Sequence, residues 1–180
     1  RTISGSRTAL VEKIALKDSE GKPLHLIEIG ETVQLNVVIE AKVDVEKLVF
    51  GFMIKDHLGQ DIYGTNTALL DRPIECVPSG NTLEITFDLD LTLGVGQYSI
   101  STCLHNGLDH LTNNIHWEDL AFSFQMINRS KPSFVGKVDL SAKLNTVKIF
   151  DGAVLDNPNL GYQDGYEKEP YQSNQTRSSY

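Results

Sequence analysis

The chain has 180 residues, 40% of them hydrophobic and 22% charged, the proportions expected of one soluble globular domain of ordinary size. Sixteen Lys and Arg against 24 Asp and Glu give a formal charge of −8, which argues against a surface built to neutralise phosphates and excludes nucleic acid as an expected partner. No window reaches the ~18 consecutive apolar residues of a spanning helix, and RTISGSRTALV lacks a signal-peptide core, so neither a membrane span nor an export address is expected.

In chain order, residues 1–8 are small, polar and basic and read as a linker remnant, and a first residue of Arg1 instead of Met reads as a mature product or fragment. From there apolar residues alternate with polar ones, the pattern of strands with one face on a core. The spacing predicts strands at Leu10 to Leu16, Leu24 to Ile29, Val33 to Ile39, Leu48 to Ile54 and Gln60 to Tyr63. Three more follow at Leu83 to Leu91, Tyr98 to Leu104 and Leu120 to Met126. Turn signals separate them, including Gly21-Lys22-Pro23, His57-Leu58-Gly59, Pro78-Ser79-Gly80-Asn81 and Asn106-Gly107. About eight short strands at this spacing suggest an all-β fold, an antiparallel β-sandwich of immunoglobulin-like type. The domain is placed at residues 9–144. Beyond it, residues 145–180 form a C-terminal extension holding Tyr162, Tyr166, Tyr171 and Tyr180 among Asn, Asp, Gly, Ser and Gln. A disordered tail is one reading; the one preferred here is a tail docked along its own domain or a neighbour.

Residues for chemistry are sparse. No phosphate-gripping G-x-x-x-x-G-K-[ST] loop, dinucleotide G-x-G-x-x-G or G-x-S-x-G elbow occurs. Glu118-Asp119 and Asp88/Asp90 are the pairs to weigh for glycosidic cleavage, which needs two carboxylates about 5–10 Å apart. Asp88 and Asp90 alternate onto the solvent face of a strand, where carboxylates mostly solubilise. Without a convergent acid, base and nucleophile, no catalytic residue is assigned. His105, Asp109, His110 and His116 crowd one polar segment, but their spacing matches no metal motif, so neither metal nor cofactor is expected. Cys76 and Cys103 read as reduced thiols. The sequons at Asn128 and Asn174 need a secretory context that the N-terminus does not supply.

Parity singles out one surface. If Leu48 to Ile54, Tyr98 to Leu104 and Leu120 to Met126 lie in one sheet with their bulky residues inward, the outward set is mostly small. It comprises Val49, Gly51, Met53 and Lys55; Gln97, Ser99, Ser101 and Cys103; and Ala121, Ser123 and Gln125. Such residues leave a shallow trough, with the 105–119 loop overhanging one end and Trp117, the only tryptophan, able to lay a ring under a sugar face. The candidate ligand-binding residues are therefore Lys55, Gln97, Ser99, Ser101, His105, Trp117, Ser123 and Gln125. The competing reading is a face covered by another strand or subunit, since close backbone packing also selects Gly, Ala and Ser.

Residues 49–67, V-F-G-F-M-I-K-D-H-L-G-Q-D-I-Y-G-T-N-T, resemble the strand-turn-strand signature of the C-terminal domain of Wzt, the nucleotide-binding subunit of ABC transporters that export bacterial O-antigen polysaccharide. Val11-Glu12-Lys13-Ile14 with Asp18 to Lys22 looks like that family's first strand and turn, Gly94 to Ser99 like its G-x-Y strand start, and Phe134 to Leu140 like its closing segment. The similarity spans about residues 9–144 and is most specific at Asp56, Gly59, Tyr63 and Gly64-Thr65-Asn66-Thr67. The motif also has a structural reading: Gly59 permits positive φ, and Asn and Thr can tie a strand end to backbone. The resemblance implies a non-catalytic module that recognises the modified non-reducing end of an O-antigen polysaccharide and licenses its export. It further implies a homodimer formed by exchange of a terminal strand, and an upstream ATPase domain joining a transmembrane subunit at the cytoplasmic face of the inner membrane. A protein–protein or dimerisation module without its own glycan site is the alternative. The 105–119 loop and the tail depart from the family pattern, and no binding residue is carried over.

Overall fold

A computed structural model describes residues 3–107 and 114–149. It contains eleven strands and, among the described residues, no helix. They are β1 (Ile3–Ser4), β2 (Ala9–Lys17), β3 (Pro23–Leu24), β4 (Leu26–Glu28), β5 (Glu31–Ala41) and β6 (Val45–Asp56), followed by β7 (Asp61–Asn66), β8 (Ile74–Val77), β9 (Thr82–Leu91), β10 (Gly96–Asn106) and β11 (Asn114–Ile127). Two sheets form: β1-β11-β10-β6-β7, with β4 joined to β11 and β8 to β6, and β3-β2-β5-β9. Every pairing is antiparallel except that of β4 with β11, which runs parallel over Leu26–Glu28. The all-β sandwich read from alternation is the fold observed.

Each alternating run fills the gap between sheets with one face. From the smaller sheet come Leu16, Val33, Leu35, Val37 and Ile39; from the larger come Leu48, Phe50, Ile100, Leu104 and Met126, all essentially inaccessible. Phe87 of β9 meets Phe50 and Phe52 of β6 at ring separations of 5.8 and 5.2 Å, an aromatic link across the two layers. Burial of this kind, at about 25 cal/mol per Å² of apolar surface, is what holds the layers together. The outer face of the smaller sheet satisfies itself with cross-strand polar pairs. Thr32 donates to Asp90 at 2.6 Å, Gln34 to Asp88 at 3.1 Å and Asn36 to Thr86 at 3.1 Å. Asp88 and Asp90 thus belong to a solvated ladder.

Within the stretch read as linker, Ile3 and Ser4 pair with Glu118 and Trp117, a two-residue strand too short for any alternation to reveal. The segment read as an overhanging loop is also partly strand, since β11 begins at Asn114. Asp109 and His110 lie outside the described residues, as do Asn174 and the four tail tyrosines. After β11 the chain returns along the β9–β10 connection: Leu93 bridges Val138, Gly94 N donates to Lys137 O at 2.9 Å and Asp139 N to Thr92 O at 2.7 Å. Asn128 closes the intervening turn on the backbone of Lys131. Residues 143–149 belong to a second unit beginning at Lys143 and carry no helix or strand.

Candidate functional site

The register of the larger sheet builds its outer face row by row. Gln97 lies beside Gln125, and Ser99 beside both Ser123 and Lys55. Ser101 then lies beside Met53, which in turn faces Gly64, while Cys103 sits between Trp117 and Gly51. Small side chains on the central strand β10, flanked by longer ones on both sides, leave a groove of about 800 Å³. Lys55, Gln97, Ser99, Ser101, Ser123 and Gln125 all line it, so six of the eight candidate residues share one wall-and-floor surface.

Two candidates fall elsewhere. Trp117 lines a separate, more apolar notch of about 350 Å³ with Gly51, Met53, Gly64 and Cys103. Ser101 lines both hollows and marks where they adjoin. Both glycines are closely packed at the notch: a Cβ on Gly64 would stand 2.7 Å from Met53 Cε, and one on Gly51 would stand 3.1 Å from Cys103 Sγ. Burial pushes the Cys103 thiol up, which keeps it protonated and unreactive. His105 is buried at 3% exposure with Nδ1 2.7 Å from Gly107 O, and it lines neither hollow.

Residues that alternation did not single out complete the groove. The β6–β7 hairpin supplies His57, Leu58 and Gly59. Its turn is clamped by Asp56, whose Oδ1 accepts from Leu58 N at 2.8 Å and Gln60 N at 3.0 Å, with Gly59 at φ 79°. Lys137 Nζ lies 3.0 Å from Asp56 Oδ2. Burial pushes the Asp56 carboxyl up, but the Gln60 amide and the Lys137 ammonium outweigh it and hold the group below its ordinary value. Asn66 Oδ1 accepts from Leu69 N at 2.7 Å, and Thr67 Oγ1 from Phe50 N at 3.3 Å, so the whole 56–67 motif is a strand-end lock. From the β3–β4 junction, His25 stacks on Phe122 at 4.8 Å, with Nδ1 3.2 Å from Ser123 O. Asp119 reaches the groove floor, where its Oδ1 accepts from Ser101 Oγ at 3.1 Å.

Leu120 corrects the parity reading. Expected inward with Phe122 and Phe124, it is 55% exposed and lines the groove. Ile100 pairs with Phe122 and Thr102 with Glu118, so Ser101 alone faces Asp119, Leu120 and Ala121. Two extra residues in β11 turn Leu120 out while leaving parity intact on either side, which keeps Trp117 on the outer face and Glu118 inside. Glu118 is 1% and His116 2% exposed, with Nε2 3.4 Å from Oε2; both are interior groups, remote in role from Asp119. Among the described residues no three His, Cys, Asp or Glu side chains converge as a metal site.

The model of the Wzt C-terminal domain family matches residues 1–140. The chain belongs to that family. The crystal structure of the C-terminal domain of Wzt superposes with a TM-score of 0.72 at 17% identity, covering 81% of this chain and 88% of that one. The CARDB domain of a Pyrococcus furiosus protein, solved in complex with di-metal ions, gives a TM-score of 0.38 at 10% identity, over 66% of this chain and 96% of that one. No curated protein matches the chain. The Wzt-like sandwich is therefore the fold of this domain, and its groove lies on the outer face of the larger sheet.

Proposed function

We propose that this domain is a non-catalytic carbohydrate-binding module that recognises the modified non-reducing end of a bacterial O-antigen polysaccharide and so licenses its export by an ABC transporter. The observation that carries the reading is the groove. Hydroxyls of Ser99, Ser101 and Ser123 and amides of Gln97 and Gln125 converge on one open hollow of the size of a small-molecule site. On the outer face of the other sheet, Thr32, Gln34 and Asn36 are already bonded to Asp90, Asp88 and Thr86. Lys55, paired to Asp61 at 3.4 Å, adds a donor at the groove's edge. Trp117 supplies an aromatic wall to the adjoining notch, and His105 closes the end of β10 against Gly107 O. Membership of the Wzt C-terminal domain family supports the polysaccharide as ligand, and with it a place at the cytoplasmic face of the inner membrane beside a transmembrane subunit.

A homodimer joined by strand exchange is part of the same proposal. β9 is hydrogen-bonded to β5 alone among the described strands, and Leu83, Ile85, Phe87 and Leu89 along it are only half-buried. An outer edge of this length invites a further strand. The alternative, a dimerisation module whose groove is filled by a partner, is separated by Ser101→Trp. A glycan site loses its ligand and keeps its oligomeric state in light scattering. The primary test is calorimetric titration with the O-polysaccharide of the source strain, capped and uncapped. The capped form is expected to bind more tightly, and negligible heats for both would overturn the reading.

A further inference from the structure

The irregularity in β11 turns Leu120 out into the groove and sets Asp119, outward by parity, beside Ser101. Opposite Ser101 the strand carries three residues where one would pair, and the middle one, Leu120, sits at φ 55°. A branched side chain in the left-handed region is strained and persists only where its surroundings enforce it. Bulges of this kind re-aim side chains beside sites. Here the result is a leucine 55% exposed and, next to it, a carboxylate pinned to the floor by Ser101, itself only 2% exposed. Across β10, the clamped β6–β7 turn holds out a second leucine, Leu58, at 70% exposure. Single exposed leucines are ordinary; two lining one polar hollow are not.

The charges narrow what fits between them. Asp56 is tied to Lys137 and Lys55 to Asp61, whereas Asp119 is bonded to a hydroxyl and, among the described residues, forms no ion pair. A carboxylate in that setting accepts hydrogen bonds from ligand hydroxyls and repels an anionic substituent. A pyranose ring carries hydroxyls at its edge and C–H groups on its face, which matches an acceptor beside two leucines.

Resting on the glycan-binding reading, we propose that Asp119 and Leu120 are the specificity-determining pair of the groove, selecting a neutral, hydroxyl-bearing sugar ring. Asp119 accepts two of its hydroxyls and Leu120 covers its C–H face, with Leu58 opposite.

The test measures the O-polysaccharide extracted from the source strain against the wild-type domain, Asp119→Asn, Leu120→Gly and Leu120→Asn, with melting curves for each protein. Either change at 120 removes the apolar contact while suiting the backbone, so Kd rises about tenfold as the melting temperature holds or climbs. Asp119→Asn keeps an acceptor for Ser101 and also weakens binding about tenfold. Wild-type Kd changes by less than about twofold between low and high salt, as a neutral ligand requires. If wild type binds and the variants bind equally well, the inference falls and the glycan reading stands. If the Leu120 variants lose stability along with affinity, Leu120 is structural and the inference falls. If wild type binds nothing, both fall.

Discussion

Replacing Ser101 by Ala removes one buried hydroxyl from the centre of the groove floor and leaves the strand otherwise unchanged. Its Oγ is the donor that fixes Asp119 Oδ1 at 3.1 Å, and a hydrogen bond to a charged acceptor is worth about 1.5–3 kcal/mol when the partner stays dry. Asp119 faces an open groove, where water replaces the lost donor, so the lower end applies: about 1.5 kcal/mol of stability. For a domain of this size that is a fall in melting temperature of roughly 3–6 °C. Binding suffers further, because a carboxylate released from its anchor must be ordered again by the ligand, at about 0.5–1.5 kcal/mol, or roughly two- to thirteenfold in Kd. Calorimetric melting and titration with the O-polysaccharide read both quantities on the same sample. A Ser101→Ala protein that melts and binds like wild type refutes the pinned-carboxylate floor.

Phe50→Ala, which empties a fully inaccessible position packed at a tilt against Phe87, lowers stability by about 3–5 kcal/mol in urea unfolding with little change in slope. Asp56→Asn acts on the acid limb of stability. The folded-state carboxyl lies below its ordinary 3.8, so its stabilising effect is complete above that pH and is lost as pH falls through the lower folded value. The variant therefore loses stability at neutral pH and shows a shallower decline below about pH 4; an unchanged acid limb contradicts the Lys137 and turn-amide clamp. His116→Ala separates a buried partner from Glu118 and costs about 1–3 kcal/mol of stability. Its polysaccharide affinity in titration stays at the wild-type value.

Alternation was enough to place both layers, because in a sandwich the inward residues of Val33 to Ile39, Leu83 to Leu91 and Tyr98 to Leu104 must all be apolar. The same parity found Ser99, Ser101, Ser123, Gln97 and Gln125, since the outer face of a strand is fixed once its inner face is known. It failed where geometry departs from a period of two. Asp119-Leu120-Ala121 contains no glycine or asparagine to announce a left-handed residue, so Leu120 read as core. His105 keeps outward parity, yet it is closed over on its own turn by Gly107, a burial that depends on tertiary neighbours. Asp56 was legible as a family position and a turn residue, but its partner Lys137 lies 81 residues on, and no local pattern joins them. The two residues of β1 are too few to show any period, and the run expected as one strand at Leu24 to Ile29 forms two short pieces, β3 and β4.

Backbone amide shifts of the domain during titration with the capped O-polysaccharide test the central claim most directly. The largest changes are expected at Gln97, Ser99, Ser101, Asp119, Leu120, Ser123 and Gln125, with the outer face of the other sheet, Thr32, Gln34, Asn36 and Asp88, unmoved. Shifts confined to that second face, or along β9 alone, would contradict the groove as the glycan site.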